Sequence, residues 1–197
     1  MPSDRDLLDT LNKADEAGQV AYTRQLCEAI LYRQPGHGPT LVRYARVLIE
    51  SALYDEAAVI LDQAESVVPV DKRHLILEQR GHRFELMGNF SAAEELHMKA
   101  HDLVPNDATY LIYAASAAFR RGDIHRAEEL ARKAILCRDG CLDEAYSNLG
   151  GYLLVQKRYS EARECYLRAI EIDSEYTIAK ERLADVELVI SREGEKG

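Results

Sequence analysis

A chain of 197 residues that is 47% hydrophobic, with 34 acidic and 25 basic residues and a formal net charge of −9, has the length and composition of one or two soluble domains. The acidic balance gives no general grip on nucleic acid or on an anionic membrane, so neither is expected as a partner. No apolar run reaches the roughly 18 residues that a spanning helix needs, so no membrane insertion is expected.

The opening MPSDRDLLDTL has no basic segment followed by an apolar core, so a secretory signal is not expected and the cytoplasm is the expected compartment. From residue 4 onward, apolar residues recur at helical spacing in pairs of runs, and the pairs return with a period of about 34 residues. The units are 4–37, 38–71, 74–107, 108–141 and 143–176, with Lys72, Arg73 and Leu142 as insertions. In the first, the positions that later hold small residues carry Leu11, Thr23 and Ile30. The second carries Ala45, Ala57 and Ala64, the third Gly81, Ala93 and Ala100. The fourth carries Ala115, Ala127 and Ala134, the fifth Gly150, Ala162 and Ala169. Small residues at these places let paired helix backbones approach closely. A large residue follows each turn (Val20, Tyr54, Phe90, Ile124, Tyr159), and Pro35, Pro69 and Pro105 stop three of the second runs. Residues 177–190 read as a further, capping helix, with Leu183, Ala184 and Leu188 covering the last pair and a flexible tail at 193–197.

Charged pairs such as Glu94-Glu95 and Glu128-Glu129 read as solvated helical faces, where substitution should matter little. Arg80 and His97 interrupt apolar positions of the third unit. Arg80 reads as a snorkelling arginine, and His97 either as a core histidine or as half of a surface pair with His101. Cys27, Cys137, Cys141 and Cys165 read as structural; Cys137/Cys141 has no second ligand pair at zinc spacing, and beside His97/His101 the glutamate of the metalloprotease pattern is replaced by Met98. With no GxSxG, GxxxxGK or GxGxxG either, no metal, no cofactor and no enzymatic activity are expected.

The small residues, the aromatic after the turn and the closing prolines together resemble the tetratricopeptide repeat (TPR) family across residues 4–176. That resemblance implies an all-α, right-handed α-solenoid of five helix pairs plus the capping helix, a single array over residues 4–192. It also implies that the first helix of each pair lines a concave wall. On this chain the wall positions include Leu8 and Asn12, then Arg43 and Arg46, then Gln79 and His82. Tyr113, Ser116, Phe119 and Asn148 follow, so the wall grades from charged to apolar and aromatic. Some members hold chaperone tails with lysines, asparagines and an arginine at positions occupied here by Leu8, Asn12, Arg43, Leu75 and Gln79, and that clamp is not carried over. The expected function is a non-catalytic adaptor, scaffold or chaperone-like module that binds a partner protein's peptide or helix. The alternatives are a homo-oligomeric scaffold joined through end repeats, or an accessory regulatory subunit of an enzyme.

Overall fold

The computed structural model describes residues 3–194, and the ordered elements among them are helical. In chain order they are α1 (Asp4–Glu16), α2 (Val20–Arg33), α3 (Gly38–Glu50), α4 (Tyr54–Val67), a short 3-10 turn (Val70–Lys72) and α5 (His74–Leu86). There follow α6 (Phe90–Leu103), α7 (Thr109–Arg120), α8 (Ile124–Ala134), α9 (Leu142–Val155), α10 (Tyr159–Ile172) and α11 (Thr177–Gly194). The chain divides between Met87 and Gly88 into two compact units.

In the first unit α1 packs on α2, α2 on α3, α3 on α4, and α5 on both α3 and α4. Its first helix starts at a capping box: the Asp6 N–H donates to Ser3 Oγ (3.2 Å) and the Ser3 N–H donates to the Asp6 carboxylate (2.9 Å). Leu11, Leu26, Cys27 and Ile30 close one core cluster, and Leu41, Ala45, Leu48, Ala57, Leu61 and Ile76 close another. In the second unit each helix from α6 to α11 packs on the next. There seventeen buried side chains between Ala108 and Val186, Leu111, Leu130, Leu149 and Tyr166 among them, form one core cluster.

The repeat register holds in detail. Thr23, Ala57, Ala93, Ala127 and Ala162 are all buried, and each large residue expected after a turn is the first residue of a second helix. The turns between paired helices pass through a left-handed residue. Glycine fills it at Gly18, Gly88 and Gly122, but Ala52 (φ 59°) and Lys157 (φ 60°) adopt it with a Cβ. The fold is all-α and helical-repeat.

Arg80 and His97 lie where a sequence reading puts them, and several other side chains do not. His97 is a core histidine, 1% exposed, with its ring 5.3 Å from that of Tyr113, so it is not half of a surface pair. Arg80 is held by Asp62 and Glu65, each at 2.7 Å. Glu94 and Glu128 are not on solvated faces: Glu94 meets Arg121 and Arg126, while Glu128 is met by Arg132 and Arg158 (both 2.8 Å) and by the Gln156 amide (2.7 Å). The face of α11 that covers α10 is Ala179, Leu183 and Val186, which follow the three and four spacing, whereas Ala184 and Leu188 point to solvent. Half-buried Val189 and Ile190 continue that face, and the helix runs to Gly194, past the expected end at 190. Of the tail expected at 193–197, residues 195–197 lie outside the described residues.

Candidate interaction surfaces

In the first unit the end of α1, the start of α3, the end of α4 and the start of α5 enclose a groove of about 730 Å³. Its floor is apolar, made by Val42, Val67, Val68 and Leu75 with Pro39 and Pro69. Gly38 lets α3 begin against α4, since a Cβ there would stand 2.9 Å from Val68 Cγ2. Arg43, Arg46 and Lys72 contribute positive charge, Asp15 and Glu16 negative. The two arginines are anchored: Arg43 meets Asp15 (3.1 Å) and donates to Asn12 (2.8 Å), and Arg46 reaches both Asp15 and Glu50. Burial works to lower the Arg46 pKa, but Asp15 and Glu50 hold it above the usual arginine value. Gln79 is 7% exposed; its amide N–H donates to Glu78, which leaves its Oε1 in the groove wall with no hydrogen-bond donor.

In the second unit α7, α9, α10 and α11 enclose a smaller recess of about 350 Å³. Ser116, Phe119, Asn148, Gly151, Ile178 and Arg182 line it, with the Tyr166 side chain at its base. The Phe119 and Tyr152 ring centroids lie 5.0 Å apart with the planes tilted by 34°.

The ten residues expected on a binding wall therefore separate. Arg43, Arg46 and Gln79 share the first groove, and Ser116, Phe119 and Asn148 share the second recess. Asn12 acts through Arg43, Leu8 packs beside the first core cluster, and His82 is half-buried on α5 outside the groove. Tyr113 lines neither hollow, because its ring packs between His97 and Tyr110. Sequence reasoning missed Asp15, Val68, Lys72, Tyr166 and Arg182. Asp15 follows Asn12 by three residues on the same face of α1 and was legible from the periodicity; Val68, Lys72, Tyr166 and Arg182 lie outside the first helices, and only the helix crossings bring them to the hollows.

The thiols are not poised as nucleophiles. Burial pushes Cys27 up to about 12 and Cys165 up to about 11, so both stay protonated at neutral pH. Among the described residues no three His, Cys, Asp or Glu side chains converge as metal ligands, and no helix is long and apolar enough to cross a membrane.

A family model described as tetratricopeptide repeat matches residues 143–176. The chain is 32% identical over 108 residues to small glutamine-rich tetratricopeptide repeat-containing protein 2 of Mycosarcoma maydis, covering 55% of this chain and 30% of that one. The chain spans no more than 30% of the length of the curated relatives it matches. In three dimensions it is similar to a tetratricopeptide repeat protein from Parabacteroides merdae, with TM-score 0.75 and 18% identity over 94% of this chain and 71% of that one. It is also similar to the first TPR of Spaghetti (RPAP3) bound to the HSP90 peptide SRMEEVD, with TM-score 0.57 and 22% identity over 61% of this chain and 98% of that one.

Proposed function

Because this chain is a tetratricopeptide repeat protein, we propose that it is a non-catalytic interaction module that holds an extended peptide or helix of a partner protein in its first-unit groove. The observation that carries this reading is the pairing of an apolar floor with the undonated Gln79 Oε1. A buried acceptor left without a donor costs about 1–3 kcal/mol, and a backbone N–H from a bound segment removes that cost while its apolar side chains cover Val42 and Leu75. The peptide held by the RPAP3 domain supports the same class of ligand. The lysines expected of a chaperone-tail clamp are replaced here by Leu8 and Leu75, and the Arg43 and Arg46 charges are already engaged by Asp15. Selectivity accordingly rests on apolar anchors and one amide contact more than on the partner's charge.

The test is selection of peptides from a displayed random library, followed by anisotropy titration of the selected peptide. Leu75→Glu and Gln79→Met should each weaken binding about tenfold or more without lowering the melting temperature, since Leu75 is partly exposed and methionine fills the glutamine's volume. Failure to select any peptide, or selected peptides that bind both variants as tightly as wild type, would remove this reading.

A further inference from the structure

The recess in the second unit contains a buried hydroxyl that no described group meets. Tyr166 is 1% exposed, and its Oη has no hydrogen-bond partner among the described residues. A phenylalanine would fill the same core space without the roughly 1–3 kcal/mol cost of an unbonded buried hydroxyl, so packing alone does not account for tyrosine. Burial pushes the phenol up to about 12 against the opposing charge of Arg182, so the group remains a protonated donor at neutral pH.

Two adjacent glycines on α9 treat this side chain differently. A Cβ at Gly150 would stand 2.8 Å from the Tyr166 ring, so close packing demands glycine there. A Cβ at Gly151 would stand 3.9 Å from the hydroxyl, an ordinary contact. Glycine inside a helix costs about 1 kcal/mol relative to alanine, and at 151 no steric need offsets it. What glycine does at 151 is keep the space in front of the hydroxyl open. Arg182 also lines the recess and makes no ion pair with a described residue, while Phe119 and Ile178 supply an apolar wall. A volume of about 350 Å³ lies at the small end of the range for ligand pockets.

We propose that this recess binds a small apolar carboxylic acid, its carboxylate accepting hydrogen bonds from the Tyr166 hydroxyl and the Arg182 guanidinium and its body lying against Phe119 and Ile178. Charge-assisted donors of this kind are about twice as strong as neutral ones, and they select an acid over its amide. The proposal uses a different unit and different residues from the peptide groove, so either stands if the other fails.

Titration of the full chain by calorimetry and NMR, with N-acetylleucine, N-acetylphenylalanine and their amides as probes, tests it. The acids should bind saturably with Kd on the order of 1 mM, and the amides about tenfold more weakly. Tyr166→Phe and Gly151→Ala should each weaken acid binding about tenfold while melting at or above the wild-type temperature, an outcome that a merely structural role does not give. A longer peptide ending in a free leucine carboxylate identifies the source. Tighter binding than N-acetylleucine assigns the acid to a protein terminus, and equal binding assigns it to a free metabolite-sized acid. Acids and amides that bind alike, no saturable binding of either, or a Tyr166→Phe variant that binds the acids as wild type does would overturn the proposal.

Discussion

Glu128 turns a surface-looking charge into a measurable part of the fold's stability. Its side chain is 12% exposed and accepts from Gln156, Arg132 and Arg158. Burial works to raise its pKa, but those three donors outweigh it and bring the carboxyl from 4.5 down to about 2. At about 1.36 kcal/mol per pKa unit this linkage is worth about 3 kcal/mol as an upper figure, and about 1–3 kcal/mol once the half-exposed arginines are allowed for. The sign is that of a depressed carboxylate. The stability is fully present above the unfolded pKa near 4.5 and is lost as pH falls from there through about 2. Glu128→Gln keeps the shape and removes the charge, so denaturant titration at about pH 7 should find it about 1–3 kcal/mol less stable than wild type, with the gap closing as both are acidified toward about pH 2. Glu129→Gln, on the same helix but 50% exposed, should cost less than about 1 kcal/mol. A Glu128→Gln deficit that is absent at neutral pH, or that stays the same in acid, would refute the reasoning.

Ala127, buried in the crossing of α7 and α8, leaves no room for a larger residue, so Ala127→Leu should lose about 1–3 kcal/mol by chemical denaturation. Ending the chain after Tyr176 removes α11 and uncovers the core that Val186 and Leu183 seal; the truncated protein should melt earlier or associate in sedimentation experiments, from a loss on the order of 3 kcal/mol. Ala52→Gly and Lys157→Gly should each gain about 0.5–1 kcal/mol, because glycine relieves the left-handed turn by slightly more than it adds in unfolded-state entropy, and denaturation midpoints that fall instead would count against the strain.

The helix pairs were legible in the sequence because each is fixed by a local need. A close crossing accepts only the small side chain that Ala57, Ala127 and Ala162 supply, and each second helix begins at a large residue such as Tyr54 or Tyr159. What was not legible depends on how neighbouring helices are rotated. Asp15 meets Arg43 and Arg46 from 31 and fewer residues away because α1 ends beside α3, a relation that no spacing within one helix announces. The covering face of α11 was misplaced for a related reason: Leu183 belongs to two candidate stripes, and only contact with α10 selects the one through Val186. Of the expected wall, Tyr113 proved to be packing, because first helices here are buried over more of their circumference than the wall positions imply.

The carboxylates of Glu94 and Glu128 each reach an arginine about one repeat further on, Arg126 at 32 residues and Arg158 at 30. Units built on one crossing plan fit one another's places as far as their small residues go, so deleting, duplicating or exchanging one could leave the crossings intact. These contacts act as an address between successive units, since a misaligned product would bury Glu94 or Glu128 against whatever residue arrives in place of its arginine. A chain with one internal unit excised should therefore be penalised even when every alanine crossing is restored, and the array's length is held by its charges as well as by its core.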